Sequence, residues 1–190
     1  MATGQTPSQT IGPFFGPALI RPELETMVRP ETRGERVIIE GRVFDGERAA
    51  VTDAMIEIWQ ANAEGRYDHR EDTQEKLLDA QFHGFGRAAT GDAGWYRLHT
   101  IKPGPVPGRE GRLQAPHLNV AIFARGLLKR LTTRIYFPDE RLNASDPVLA
   151  TVPAERRATL IASTSTSLPA LTLRFDIVLQ GDNETVFFDI

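Results

Sequence analysis

After residue 36 apolar and polar residues alternate with a period of two, in short runs separated by turn residues. Residues 37–44 run into Asp45-Gly46, 54–60 set Ile56 and Ile58 against Glu57 and Trp59, and 94–100 follow Gly91-Asp92-Ala93-Gly94. Residues 118–124 follow Pro116 and 131–137 precede Pro138. In 171–180, Leu173, Phe175, Ile177 and Leu179 share a face opposite Arg174 and Asp176. Such runs predict half-buried strands. Their spacing fits two packed sheets better than alternating strand and helix units, so the expected fold is an all-β, two-sheet antiparallel β-sandwich.

Helix should be scarce. Residues 153–161 open with proline at a first-turn position and are expected to make two or three turns, and 75–80 a single one. The first 30 or so residues carry Pro7, Gly12, Pro13, Gly16, Pro17, Pro22 and Pro30, which disfavour regular helix or a central strand. An extended arm over 1–35 is expected. Ile11, Phe14, Phe15, Leu19 and Ile20 are too apolar for a solvated tail, so it should dock. The connection 61–85 is long for a hairpin, and loops of that length in small domains tend to be functional.

Composition narrows the picture. The 190 residues are 41% hydrophobic and 25% charged, which suits one domain over 1–190 with a core of its own. No cysteine is present, which removes thiolate zinc sites, cysteine nucleophiles and disulfides. The formal charge is −3 with scattered bases, so nucleic acid is not an expected partner and an anionic substrate would need a local cation. Neither a leader of signal-peptide character nor a run of ~20 apolar residues occurs, and a cytoplasmic protein without membrane contact is expected.

His69, His83, His99 and His117 form no helical or strand-spaced pair. His117 leads an apolar strand, where a buried, hydrogen-bonded ring competes with ligation. Tyr67, beyond a strand end and a turn, could give a phenolate to a hard metal such as ferric iron or simply pack its ring. On a regular strand Arg125 shares a face with His117, but at ~3.3 Å per residue the two lie about 26 Å apart and cannot serve one small site. Arg125 is either a fork for a carboxylate or a strand-end ion pair. No Ser-His-Asp order, dinucleotide fingerprint, phosphate loop or HExxH is present.

Five segments together resemble the intradiol ring-cleaving dioxygenases: TPSQTIGPFF at 6–15, EIWQANAEGRYDH at 57–69, HTIKPGPVPG at 99–108, APHLNVAIFARG at 115–126 and GDNETVFFDI at 181–190. The resemblance implies a β-sandwich in which two tyrosines and two histidines hold ferric iron that activates a catecholate toward O2. The first tyrosine falls at Tyr67, but Val106 stands at the second, and the histidine pair reads His117 and Asn119. An arginine expected three residues before the first histidine is Gln114. With two of four ligands missing, no metal and no catalytic residue are expected in this chain. By resemblance the chain is a metal-free alpha-type subunit that completes the pocket of an iron-bearing beta-type homologue in a higher hetero-oligomer. That enzyme would cleave 3,4-dihydroxybenzoate with O2 to 3-carboxy-cis,cis-muconate. The arm would dock on the partner, Thr10, Gly12 and Pro13 would line the partner's pocket, and Arg125 would face the substrate carboxylate. A single-chain catechol-type enzyme with its own iron, or a non-catalytic binding module, are the alternatives.

Overall fold

Two sheets face each other across an apolar core. The computed structural model describes residues 12, 15–108, 111–165 and 171–189. The first sheet is built on β1 (Arg36–Phe44), which pairs with β4 (Trp95–Ile101) on one side and with β10 (Thr172–Arg174) and β11 (Ile177–Val178) on the other. β9 (Ser163–Ser165) extends it beyond β10. The second sheet has the order β3-β2-β7-β8, from Phe85–Ala89, Met55–Trp59, His117–Phe123 and Leu131–Tyr136. A two-stranded ladder of β5 (Val106–Pro107) and β6 (Leu113–Gln114) stands apart from both.

Alternation decides what fills the space between them. Val37, Ile39 and Val43 of β1 and Leu98 of β4 meet Ile56 and Ile58 of β2 and Leu118, Val120 and Ile122 of β7, all buried in one cluster. Each such side chain contributes roughly 1.5–3 kcal/mol of burial. Gly41 permits the tightest approach, since a Cβ there would lie 1.8 Å from the Phe175 carbonyl oxygen. The Tyr96 hydroxyl donates to that same oxygen at 2.6 Å.

The expected sandwich is present, and several details differ. Residues 171–180 form two short strands, both parallel to β1. The break falls at Asp176, whose Oδ1 accepts the Arg42 N–H at 2.9 Å and so takes a donor out of the ladder. β1 and β10 are far apart in sequence, and β10 follows its antiparallel neighbour β9, so no tight turn ties it to β1 and parallel pairing is open to it. Ala154–Leu160 is 3-10 and not α-helical, with Arg156 N–H donating to Pro153 O at 2.9 Å. The Thr159 hydroxyl caps Arg156 O at 2.8 Å, a side-chain bond that competes with regular helical pairing. Residues 75–80 make no helix. Their carbonyls are claimed from outside, Leu77 O by Asn62 Nδ2 at 2.8 Å and Lys76 O by Arg66 Nη1 at 2.5 Å. β3 was not expected, since Gly86 and the alanines 88 and 89 give a weak apolar signal; its inward Gly86 makes room for Met27.

The arm is less extended than expected and partly docks on its own chain. Phe15–Leu19 is a five-residue α-helix, α1, in which Pro17 falls in the first turn, where a missing N–H costs no intrahelical bond. Pro22–Glu25 is 3-10, Thr26 bridges to His99, and Met27 is buried in the core. Arg87 Nη1 ties the segment down by donating to Leu19 O at 2.9 Å. No helix among the described residues is long and apolar enough to cross a membrane.

Gly41→Ala should lower stability by about 3 kcal/mol or more, because the new methyl overlaps backbone rather than a movable side chain. Gly91→Ala, with nothing within 4 Å of its added carbon, should change stability by less than about 0.5 kcal/mol in the same denaturant titration.

Candidate functional site

The register of the second sheet builds the site on its outer face. Phe85, Trp59, Asn119 and Arg134 are direct cross-strand neighbours over all four strands, and His117 stands opposite Tyr136 in the row nearest the sheet end. Leu118 and Val120 turn into the core between these positions, so polarity alternates along β7 as its sequence does.

The loop after β2 brings Tyr67 onto this row. Asn62 Oδ1 accepts the N–H groups of Glu64 and Arg66, both at 3.0 Å, which closes a turn through Gly65 at φ 79. A side chain at Gly65 would strike the Pro105 carbonyl, so the turn and the segment bearing Val106 are packed backbone to backbone. Tyr67 N–H donates to Asp72 Oδ2 at 2.8 Å. The Tyr67 ring then stacks on Trp59, with centroids 5.8 Å apart, and its hydroxyl accepts from Asn119 Nδ2 at 3.2 Å. Val106 pairs with Gln114 in the β5–β6 ladder and lines the same cavity as Tyr67. That cavity has a volume of about 410 Å³, with Trp59, Tyr67, Val106 and Pro107 as walls and His69 and Asp72 among its polar lining.

Tyr67, Val106, His117 and Asn119, expected to share a site, are thus held together by adjacent strands and loops. Three groups beyond them complete the neighbourhood. Arg134 Nη1 donates to Gln114 Oε1 at 2.7 Å and reaches the Tyr136 hydroxyl at 3.4 Å. The Tyr136 hydroxyl donates to Asp146 Oδ1 at 3.1 Å. Asp146 is buried yet well supplied with donors, from the N–H groups of Ala115, Val148 and Leu149. Arg134 was legible as an outward position of the period-two run 131–137, but nothing in one strand reveals which residues the next strand sets beside it.

Burial, with the Arg134 charge second, depresses His117 to about 4, so the ring is neutral near pH 7. Its Nδ1 then donates to Ala115 O at 2.7 Å. Burial raises Tyr67, against the opposing Asn119 bond and the Arg134 charge. Burial also raises Tyr136.

The other candidates lie elsewhere. His83 pairs with Asp68 at 2.6 Å, and His99 is in the first sheet. Among the described residues no three His, Cys, Asp or Glu side chains gather as a metal cluster. Arg125 sits past the far end of β7, its side chain 73% exposed, with Nε paired to Asp53. Gly12 is exposed, and Thr10 and Pro13 lie outside the described residues.

This fold, with Tyr67, Val106, His117 and Asn119 gathered beside the outer face of one sheet, is that of a ring-cleaving dioxygenase scaffold. The dioxygenase family model matches residues 11–181, and the chain belongs to the intradiol dioxygenase family. It is 42% identical over 199 residues to the protocatechuate 3,4-dioxygenase alpha chain of Burkholderia cepacia, spanning 98% of each chain. To the beta chain of that enzyme it is 40% identical over 161 residues, 82% of this chain and 68% of that one. Among solved structures, the dioxygenase domain of a carbohydrate-binding fusion protein from Streptomyces sp. SirexAA-E superposes with a TM-score of 0.64 at 29% identity, covering 94% of this chain and 99% of that one.

A depressed histidine withdraws stability as pH falls, because the unfolded chain takes up a proton near pH 6.5 that the folded chain refuses until about 4. Wild type should therefore lose up to about 3 kcal/mol relative to His117→Gln between pH 7 and pH 4 in urea titrations. A constant difference would show the ring is not buried neutral.

Proposed function

We propose that the chain is the metal-free alpha subunit of a protocatechuate 3,4-dioxygenase, completing the pocket of an iron-bearing beta subunit. The enzyme would cleave 3,4-dihydroxybenzoate with O2 to 3-carboxy-cis,cis-muconate. Similarity to an alpha chain over nearly its full length supports the assignment, and similarity to a separate beta chain supports a hetero-oligomer built from both.

The donor set carries the reading. Ferric iron needs anionic oxygen and strong nitrogen donors, and of the four expected positions Val106 has no donor atom. Asn119 spends its amide hydrogens on the Tyr67 hydroxyl and Trp59 O, so what remains at that position is a weak carbonyl oxygen. Burial favours a neutral phenol at Tyr67. Tyr67 and His117 alone do not fit the metal, and the iron is assigned to the partner, where it supplies the activation of substrate and O2.

What this chain contributes is shape and charge. The arm residues Thr10, Gly12 and Pro13 would line the partner's pocket, and Arg125 would meet the substrate carboxylate. Its exposure and its pairing through Nε leave the two terminal nitrogens for a second carboxylate. A charge-assisted contact of this kind is worth about 1.5–3 kcal/mol. The Asp53 contact favours a second reading, in which Arg125 only braces the strand end.

Co-expression with an iron-bearing beta chain should give soluble, active enzyme, where expression alone gives poorly soluble material. In the assembled enzyme Arg125→Ala should raise KM for 3,4-dihydroxybenzoate about tenfold or more and affect catechol much less. Equal losses on both substrates would leave Arg125 a brace. Tyr67→Phe should leave the iron content unchanged, and a drop would return that tyrosine to the ligand set.

A further inference from the structure

We propose that Asp53 is the positioning residue of the substrate-carboxylate contact: it holds the Arg125 guanidinium through Nε and fixes the plane in which the two terminal nitrogens are presented. The inference rests on the reading in which Arg125 meets the carboxylate of 3,4-dihydroxybenzoate, and it adds to that reading a residue the family resemblance does not single out.

Register brings the two together. β2 and β7 pair antiparallel, with Trp59 opposite Asn119, Glu57 opposite Ala121 and Met55 opposite Phe123. Carried two residues past the Met55 pair, the same register sets position 53 opposite position 125, on the outer face that bears Glu57 and Ala121. Ile56, Ile58, Val120 and Ile122 hold that register from the other face, since all four are buried in the core.

Both backbones are anchored where the ladder ends. Ala54, next to Asp53, donates its N–H to Thr90 Oγ1 at 2.8 Å and accepts the Thr90 N–H on its carbonyl at 2.8 Å. Ala54 and Thr90 are both buried, so the start of β2 is tied to the end of β3. On the facing strand, Leu127 N–H donates to Ala124 O at 3.3 Å and Gly126 sits at φ 83. Residues 124–127 are thus a tight turn with Arg125 in its second place, and the glycine supplies the positive φ that such a turn needs in its third. Leu127 packs against the core and keeps the turn in place.

With the backbones held, what remains mobile is the arginine side chain. It is 73% exposed, against 31% for Asp53, and among the described residues only its Nε–H has an acceptor. A long exposed stem loses rotamer freedom when its fork closes on a carboxylate. The Asp53 bond removes part of that freedom before substrate arrives, which is preorganisation. An ion pair this exposed adds little to fold stability, and the ladder and the turn already hold the strand end, so bracing is the lesser of its two tasks. Charge opposes position here: the Asp53 carboxylate offsets the arginine's charge and repels an incoming anion. The two effects are separable, because asparagine keeps an oxygen acceptor and drops the charge.

The test is steady-state kinetics of the assembled enzyme with 3,4-dihydroxybenzoate and with catechol. Asp53→Ala should raise KM for 3,4-dihydroxybenzoate about threefold or more and KM for catechol less than about twofold. Asp53→Asn should return KM for 3,4-dihydroxybenzoate to the wild-type value or below it. On an Arg125→Ala background Asp53→Ala should add nothing, since its effect passes through the guanidinium. An unchanged KM in Asp53→Ala, an equal rise on both substrates, a rise in Asp53→Asn as large as in Asp53→Ala, or additive losses in the double variant would overturn the proposal. Arg125→Ala without preference between the substrates would sink the reading of Arg125 itself, and this proposal with it.

Discussion

Strand β7 is held on both sides, by β2 and by β8, and that double pairing fixes which of its side chains face the core and which face the site. A slip of one residue would send Leu118, Val120 and Ile122 outward and bury Asn119 and Ala121. The hydrophobic cost of that exchange, several side chains at roughly 1.5–3 kcal/mol each, is what pins Asn119 against Tyr67 and sets Arg134 beside it. The site's geometry is thus a by-product of core packing.

On the proposed assignment, the residues at the four expected ligand positions alter the electrostatics of the place more than its architecture. Where a trivalent cation and its anionic ligands would balance one another, the chain has an apolar side chain, an amide, a neutral imidazole and a phenol favoured in its neutral form. A positive charge stands beside it, the guanidinium of Arg134, tied through Tyr136 to the buried Asp146. Gln114, standing where the family resemblance expects an arginine, accepts the hydrogen bond that Arg134 donates. A guanidinium is therefore present near that position, contributed by β8 of the second sheet.

Much of the sandwich was legible because its strands alternate cleanly: β1, β2, β4, β7 and β8 fall within a residue or two of the expected runs. Tyr67, Val106, His117 and Asn119 could be named from motif positions, and their convergence follows from register and loop closure, which local pattern does not encode. What stayed hidden depended on partners distant in sequence. Asp176 breaks the final run by bonding to Arg42, Met27 finds its place over Gly86, and carbonyls in 75–80 are satisfied by side chains of the preceding loop. Helix propensity in 153–161 was real but too short to resist 3-10 pairing and a threonine that bonds its own turn.

The central claim is that this polypeptide lacks the donors to retain iron and serves a partner's metal instead. Metal analysis of the purified chain by itself, with its visible spectrum, tests that most directly. The account predicts no stoichiometric iron and no phenolate-to-iron colour; one tightly held ferric ion per chain with a red charge-transfer band would contradict it.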